Sequence, residues 1–296
     1  MGQIDFFVDN EKCIHCGQCE KECASHIIHQ NSEKLPYILN EDEKYCLKCQ
    51  HCLAICPTGA ISILGKDPKD SEPIENLPTP EQVLKLIQSR RSIRNYKKEN
   101  LDPNTMTKLK NMLKYSPTGC NNHKLHIAIV ENIEIMDKIR NRVNNTIKKL
   151  LLSKAISPLA KKFERYKNEF IQGKDLIFRD APHMIVVSSP INAPCANTDP
   201  TILLSYFELY AQSLGVGTVW CGFGEKCLKL MPEICEYIGI PQGYKIGYVM
   251  LFGPTDTKYQ RTTQPQDYQI TTVTEKENLN LSFADKIKRY FWNTIR

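Results

Sequence analysis

The chain has 296 residues, 41% of them hydrophobic and 24% charged, the composition of an ordinary globular protein longer than one typical domain. It contains no run of 18 apolar residues, which excludes a membrane-spanning helix, and the stretch from Met1 to Cys13 lacks the layout of a signal peptide. The net charge of +6 is unevenly divided, with 5 Lys against 9 Asp or Glu in residues 1–64 and 34 basic against 24 acidic residues in the rest, but the lysines are too scattered to suggest nucleic-acid binding.

Eight cysteines open the chain in two copies of one pattern. Cys13, Cys16, Cys19 and Cys23 form the first C-x2-C-x2-C-x3-C run; Cys46, Cys49, Cys52 and Cys56, followed by Pro57, form the second. This is the spacing of bacterial two-cluster ferredoxins, in which three cysteines of a run hold one [4Fe–4S] cluster and the fourth crosses to the other. It implies Cys13, Cys16, Cys19 and Cys56 on one cluster and Cys46, Cys49, Cys52 and Cys23 on the second. Structural zinc prefers two separated C-x2-C pairs, and one tetrahedral ion does not need four cysteines within 11 residues. Disulfides are not expected in a chain without a secretion signal. The five remaining cysteines (Cys120, Cys195, Cys221, Cys227, Cys235) show no metal spacing, and the expected compartment is the cytoplasm.

Alternating Ala60–Leu64 predicts a strand closing the ferredoxin module at residues 1–64. Residues 65–79, with Pro68, Pro73 and Pro78 among charges, read as a linker. Thr79-Pro80-Glu81-Gln82 predicts a capped helix with Val83, Leu84, Leu86 and Ile87 on its apolar face. Further elements follow in residues 80–296: a helix at Met106–Tyr115, a strand at His126–Val130, and a helical stretch over 134–172 broken at Pro158. Then come a buried strand at Met184–Ser188, a helix at Ile202–Leu214, strands at Gly217–Trp220 and Lys245–Phe252, and a final amphipathic helix at Asp285–Arg296. Strands alternating with helices indicate an α/β or α+β domain.

Three segments of that larger domain suit a bound anion or a flat ring. Arg90-Arg91-Ser92-Ile93-Arg94-Asn95-Tyr96 gathers guanidiniums matched to oxyanions. Ser116-Pro117-Thr118-Gly119-Cys120-Asn121-Asn122-His123 is a turn-rich loop of amide and hydroxyl donors. Leu214 to Gly222 ends a helix at glycine and begins a strand, and its glycines permit close approach of backbone to a ring. Each piece alone is ordinary turn chemistry. In this order, together with Asp180-Ala181-Pro182, they resemble the nitroreductase family of FMN-dependent flavoenzymes over residues 80 to about 270. With the cysteine module in front, the whole resembles ferredoxin–nitroreductase fusions of anaerobes.

The resemblance implies a fold of α+β class, a small two-cluster ferredoxin module followed by a three-layer nitroreductase-like domain. It implies FMN as a cofactor beside two [4Fe–4S] clusters, with Arg90, Arg91, Ser92 and Arg94 around the phosphate and ribityl chain. Trp220, Cys221 and Gly222 would lie along the isoalloxazine with backbone amides near its reactive edge, and Lys258 and Arg261 would complete the phosphate site. Pro117, Thr118, Gly119 and Asn121 would reach in from the partner subunit of a homodimer. His123 stands where many members have glutamine. Cys221 reads as a small buried thiol rather than a reactive one. The implied activity is reduction of an electrophilic acceptor (nitroaromatic or nitroheterocycle, quinone, activated alkene). Its electrons would come from a low-potential ferredoxin- or flavodoxin-type donor, or from NAD(P)H, since cluster potentials extend low enough to reduce a flavin. Two rivals are an electron carrier or flavin-handling protein whose acceptor is another protein, and a zinc-stabilised binding module.

Overall fold

The computed structural model describes residues 4–153 and 164–272, with residues 282, 284, 287 and 288 beyond them. The break expected at Pro158 lies outside the described residues, as does the helix expected at Asp285–Arg296 apart from Ile287 and Lys288. Two compact units are present, Met1–Gln260 and Arg261–Arg296. The fold is α+β.

The cysteine runs build a small pseudo-symmetric module. Strand β1 (Phe7–Val8) pairs antiparallel with β4 (Ile61–Ser62), and β2 (Ile28–Gln30) with β3 (Pro36–Ile38). Helices α1 (Gln18–Glu22) and α2 (His51–Ala54) each start on a left-handed residue, Gly17 (φ 69°) and Gln50 (φ 61°). His15 (φ 58°) and Lys48 (φ 55°) repeat that conformation two positions earlier. Both loops thus wind the same way and bury Cys19 and Cys52 in the first helical turn, against Ile4, Ile28, Leu53, Ile61 and Ile63. Gly17 suits this position through its φ of 69°, which residues with a Cβ rarely adopt.

Helix α3 (Pro80–Ser89) carries the expected capping box: the Gln82 N–H donates to Thr79 Oγ1 at 3.3 Å and the Thr79 N–H to Gln82 Oε1 at 2.9 Å. Its apolar face is not buried in this chain; Val83, Leu84 and Ile87 are exposed.

The larger sheet has the order β5-β6-β8-β7, all antiparallel: β5 (His126–Val130), β6 (His183–Pro190), β7 (Gly217–Trp220) and β8 (Tyr244–Gly253). The run Met184–Val187 is apolar throughout because both faces of β6 are covered. Met184 and Val186 join a core with Met136, Ile139 and Val143 of α5 (Ile133–Leu152), below which lies α6 (Lys167–Ile171). Ile185 and Val187 join the opposite core with Met106 and Leu109 of α4 (Pro103–Met112) and Leu203, Leu204 and Phe207 of α7 (Asp199–Ser213). Helices α8 (Gly222–Lys229) and α9 (Pro232–Tyr237) follow β7. The result is three layers with the sheet in the middle. Ser92 forms a parallel bridge to Thr218, and the Ile93 N–H donates to the Thr218 carbonyl at 2.8 Å. The arginine-rich segment is thereby laid alongside β7.

Candidate functional site

The eight motif cysteines surround two hollows. Cys13, Cys16, Cys19 and Cys56 line one; Cys23, Cys46, Cys49 and Cys52 line the other. This is the crossed grouping that the spacing implies. Four thiols around each hollow are the donor set that a multi-atom iron–sulfur group takes. The chemistry of the donor set agrees, since the sulfurs receive backbone hydrogen bonds of the kind that support thiolate. The Ala60 N–H donates to Cys56 Sγ at 3.2 Å and the Lys48 N–H to Cys46 Sγ at 3.4 Å. Burial raises the Cys56 thiol, but the hydrogen bonds from Ala60, Thr58 and Ile61 outweigh it and hold the thiol below its usual range. Burial pushes Cys52 up to about 12, so this thiol needs a strong positive neighbour to ionise, which iron would be.

Two clefts flank the ends of β7. One, of about 340 Å³, is lined by Ser89, Arg91, Ile93, Gly215, Gly217, Thr255, Thr257 and Lys258 among others. The other, of about 300 Å³, is lined by Arg94, Arg179, Val219, Trp220, Cys221, Gly222, Phe223 and Lys226, with Leu176, Ile177 and Leu251. Neither lining contains a carboxylate. Cations, threonine hydroxyls and an aromatic edge fit a planar, phosphate-bearing anion.

The expected residues divide between these clefts. Arg91 and Lys258 belong to the first, Arg94, Trp220, Cys221 and Gly222 to the second. Arg90 is committed elsewhere, to the buried Glu208 at 3.0 Å, whose other oxygen accepts from Trp220 Nε1 at 3.0 Å. The amide expected of Cys221 is also committed, donating to the Val249 carbonyl at 2.9 Å. The donors left for a ligand begin at Gly222, in the first turn of α8, where N–H groups have no acceptor within the helix and the dipole favours negative charge. The Cys221 thiol is pushed up to about 12, chiefly by burial, and donates to the Ile177 carbonyl at 3.2 Å. Arg261 lies in the second compact unit and is exposed.

Sequence reasoning missed Arg179 and Lys226. Arg179 is displayed by two successive left-handed residues, Arg179 and Asp180, both at φ 53°. The turn is held from beneath by the buried Asp175 carboxylate, which accepts from Arg140 Nε at 2.8 Å, the Phe178 N–H at 2.9 Å and the Asp180 N–H at 3.0 Å. Arg140 in turn donates to the Ala181 carbonyl at 2.5 Å. Asp180-Ala181-Pro182 was the local signal that a special turn sits here; the residue before it carries the charge.

The loop holding Pro117, Thr118, Gly119 and Asn121 lines neither cleft. Asp199, buried at the start of α7, accepts from the Gly119 N–H at 3.0 Å and anchors it. Asn121 Nδ2 donates to the Leu47 carbonyl at 3.0 Å, inside the second cysteine loop.

Comparison with known proteins places both halves. Residues 87–254 match the model of the nitroreductase family and residues 8–60 that of the 4Fe-4S dicluster domain. An uncharacterized ferredoxin of Methanocaldococcus jannaschii is 33% identical over 73 residues, 25% of this chain and 95% of the ferredoxin. The crystal structure of a nitroreductase with bound FMN from Bacteroides fragilis aligns with a TM-score of 0.54 at 19% identity, over 65% of this chain and 98% of that one. A second nitroreductase with bound FMN, from Desulfitobacterium hafniense, aligns at 0.53 and 25% identity, over 64% and 97% of the two chains.

Proposed function

The chain belongs to the nitroreductase family and carries a ferredoxin-type iron–sulfur domain ahead of the reductase domain, and from that premise we propose that it is an FMN-dependent reductase fed through two [4Fe–4S] clusters. We divide it into the module at 1–64, a linker at 65–79 and the reductase domain from 80 onward. The observation that carries the reading is one compact unit holding both two four-cysteine hollows and two cationic clefts free of carboxylates.

When bound, the clusters supply one-electron transfer and FMN supplies hydride transfer to an electrophilic acceptor such as a nitro compound, a quinone or an activated alkene. The protein's part is position and charge. Arg91 and Lys258, with Thr255 and Thr257 beside them, bind the phosphate. Arg94, Arg179 and Lys226, with the N-terminal turn of α8, favour negative charge on the ring system. Glu208 fixes the Trp220 indole by accepting from its Nε1, and Gly222 opens the first turn of α8 with a backbone N–H beside the cleft. Because Pro117, Thr118 and Gly119 line neither cleft of their own chain, we assign them to the cleft of a second copy in a homodimer, whereas the Asn121 amide is committed within its own chain, to the Leu47 carbonyl and His123. The exposed apolar face of α3 is consistent with such an assembly.

The test is the Cys49→Ser variant. It should lose flavin reduction by a low-potential one-electron donor while keeping any direct reduction by NAD(P)H. Equal loss of both would end the relay reading.

A further inference from the structure

The loop that carries Asn121 reaches the peptide group that donates to the Cys46 sulfur. Asn121 Nδ2 donates to the Leu47 carbonyl at 3.0 Å, and the N–H of that same peptide group, on Lys48, donates to Cys46 Sγ at 3.4 Å. The amide is oriented for this contact, because Asn121 Oδ1 lies 2.8 Å from His123 Nε2. The backbone is bent to present it, with Cys120, Asn121 and His123 all at positive φ (53°, 50° and 46°). The loop is fixed to the reductase domain by the buried Asp199, which accepts from the Gly119 N–H. Gly119 is held flat against Cys195, whose Sγ a Cβ would approach to 2.5 Å.

We propose that the half of the iron–sulfur module formed by Cys23, Cys46, Cys49 and Cys52 delivers electrons to the reductase domain, with Asn121 as the residue that docks and tunes it. The half formed by Cys13, Cys16, Cys19 and Cys56, whose Cys16 and Ile14 are exposed, receives them from an external low-potential one-electron donor. This rests on the flavin-and-cluster reading above. Each step moves one electron: the delivering cluster is oxidised, the acceptor in the reductase domain is reduced, and the receiving cluster restores the first at the donor's expense. Two such steps and one proton from water reduce the flavin, and no protein bond is made or broken. A hydrogen bond accepted by the Leu47 carbonyl polarises its peptide and strengthens the N–H donation to Cys46 Sγ. That stabilises the more negative, reduced cluster and raises its potential.

The experiment is a potentiometric titration of full-length holoprotein followed by electron paramagnetic resonance, comparing wild type with Asn121→Ala and the isosteric Asn121→Asp. The delivering cluster is identified as the one whose signal changes in Cys49→Ser. Its potential should fall in Asn121→Ala and fall further in Asn121→Asp, which sets a carboxylate against the Leu47 carbonyl, while the other potential stays in place. Flavin reduction by the one-electron donor should slow about two- to tenfold in Asn121→Ala, the range one lost hydrogen bond gives. If the Asn121 variants do not fold, His123→Ala, which releases the amide from one side, should give a smaller shift of the same sign. A shift of the other cluster instead, or two unmoved potentials in a fully loaded variant, overturns the proposal; the latter result would confine Asn121 to the flavin. Absence of flavin or of one cluster from wild type would overturn the underlying reading, before any variant is made.

Discussion

Replacing Asp175 by Ala removes the support beneath the Arg179 turn and tests the second cleft without touching its lining. The carboxylate is 3% exposed and its partner Arg140 10%. Breaking one side of a buried pair costs about 3–5 kcal/mol. Arg140 keeps its ion pair with the half-exposed Asp137, which places the loss near the lower end, about 3 kcal/mol. The Phe178 and Asp180 N–H groups lose their acceptor as well, and the left-handed pair at Arg179 and Asp180 loses the carboxylate that holds it from beneath. For a domain of this size about 3 kcal/mol corresponds to a midpoint lowered by about 6–12 °C. With Arg179 released, one charge-assisted contact to an anionic ligand is lost, about 1.5–3 kcal/mol, or about 10- to 150-fold in flavin retention. Thermal unfolding followed by circular dichroism and flavin release on dilution read the two effects separately. A midpoint within about 2 °C of wild type, with flavin held as tightly, would refute the claim that Asp175 builds the site.

The acid limb of stability should depend on His183, which is fully buried, accepts from the Leu101 N–H at 2.9 Å and is pushed down to about 4 by burial. A histidine depressed in the folded state contributes stability above its unfolded value of 6.5, lost as pH falls toward 4, here about 3 kcal/mol in all; urea midpoints of His183→Gln should be flatter between those pH values. Cys221 and Cys227, both pushed up to about 12 by burial, stabilise below the usual thiol range near 9 and lose that contribution as pH rises from 9 to 12. Neither thiol should react with iodoacetamide in the native protein at neutral pH, and labelling at the unfolded rate would contradict their placement. Glu208→Gln should cut flavin retention about tenfold and alter Trp220 emission, since the charge that holds Arg90 and the indole is gone; an unchanged spectrum would show that Glu208 does not position Trp220.

Local chemistry made much of this molecule legible. Cysteine spacing implied the crossed grouping, Thr79 and Gln82 marked the start of α3, and the apolar run at Met184–Val187 marked a strand covered on both faces. What escaped the sequence depends on convergence across the chain. Arg179 and Lys226 join Arg94 only once the sheet brings them together. Arg90 looked like a ligand for phosphate until Glu208, 118 residues away, was seen to take its guanidinium. The Cys221 amide is claimed by a register pairing with β8 that no local pattern encodes. The apolar face of α3 was legible in Val83, Leu84, Leu86 and Ile87, but a hydrophobic stripe does not say what covers it, and in this chain Val83, Leu84 and Ile87 stay exposed.

The most direct test of a flavin fed through two clusters is the content of iron, acid-labile sulfide and flavin per chain in protein purified without oxygen. A two-cluster flavoenzyme holds about eight irons, about eight sulfides and one FMN per chain. Zinc in place of iron, or clusters without flavin, would contradict that composition.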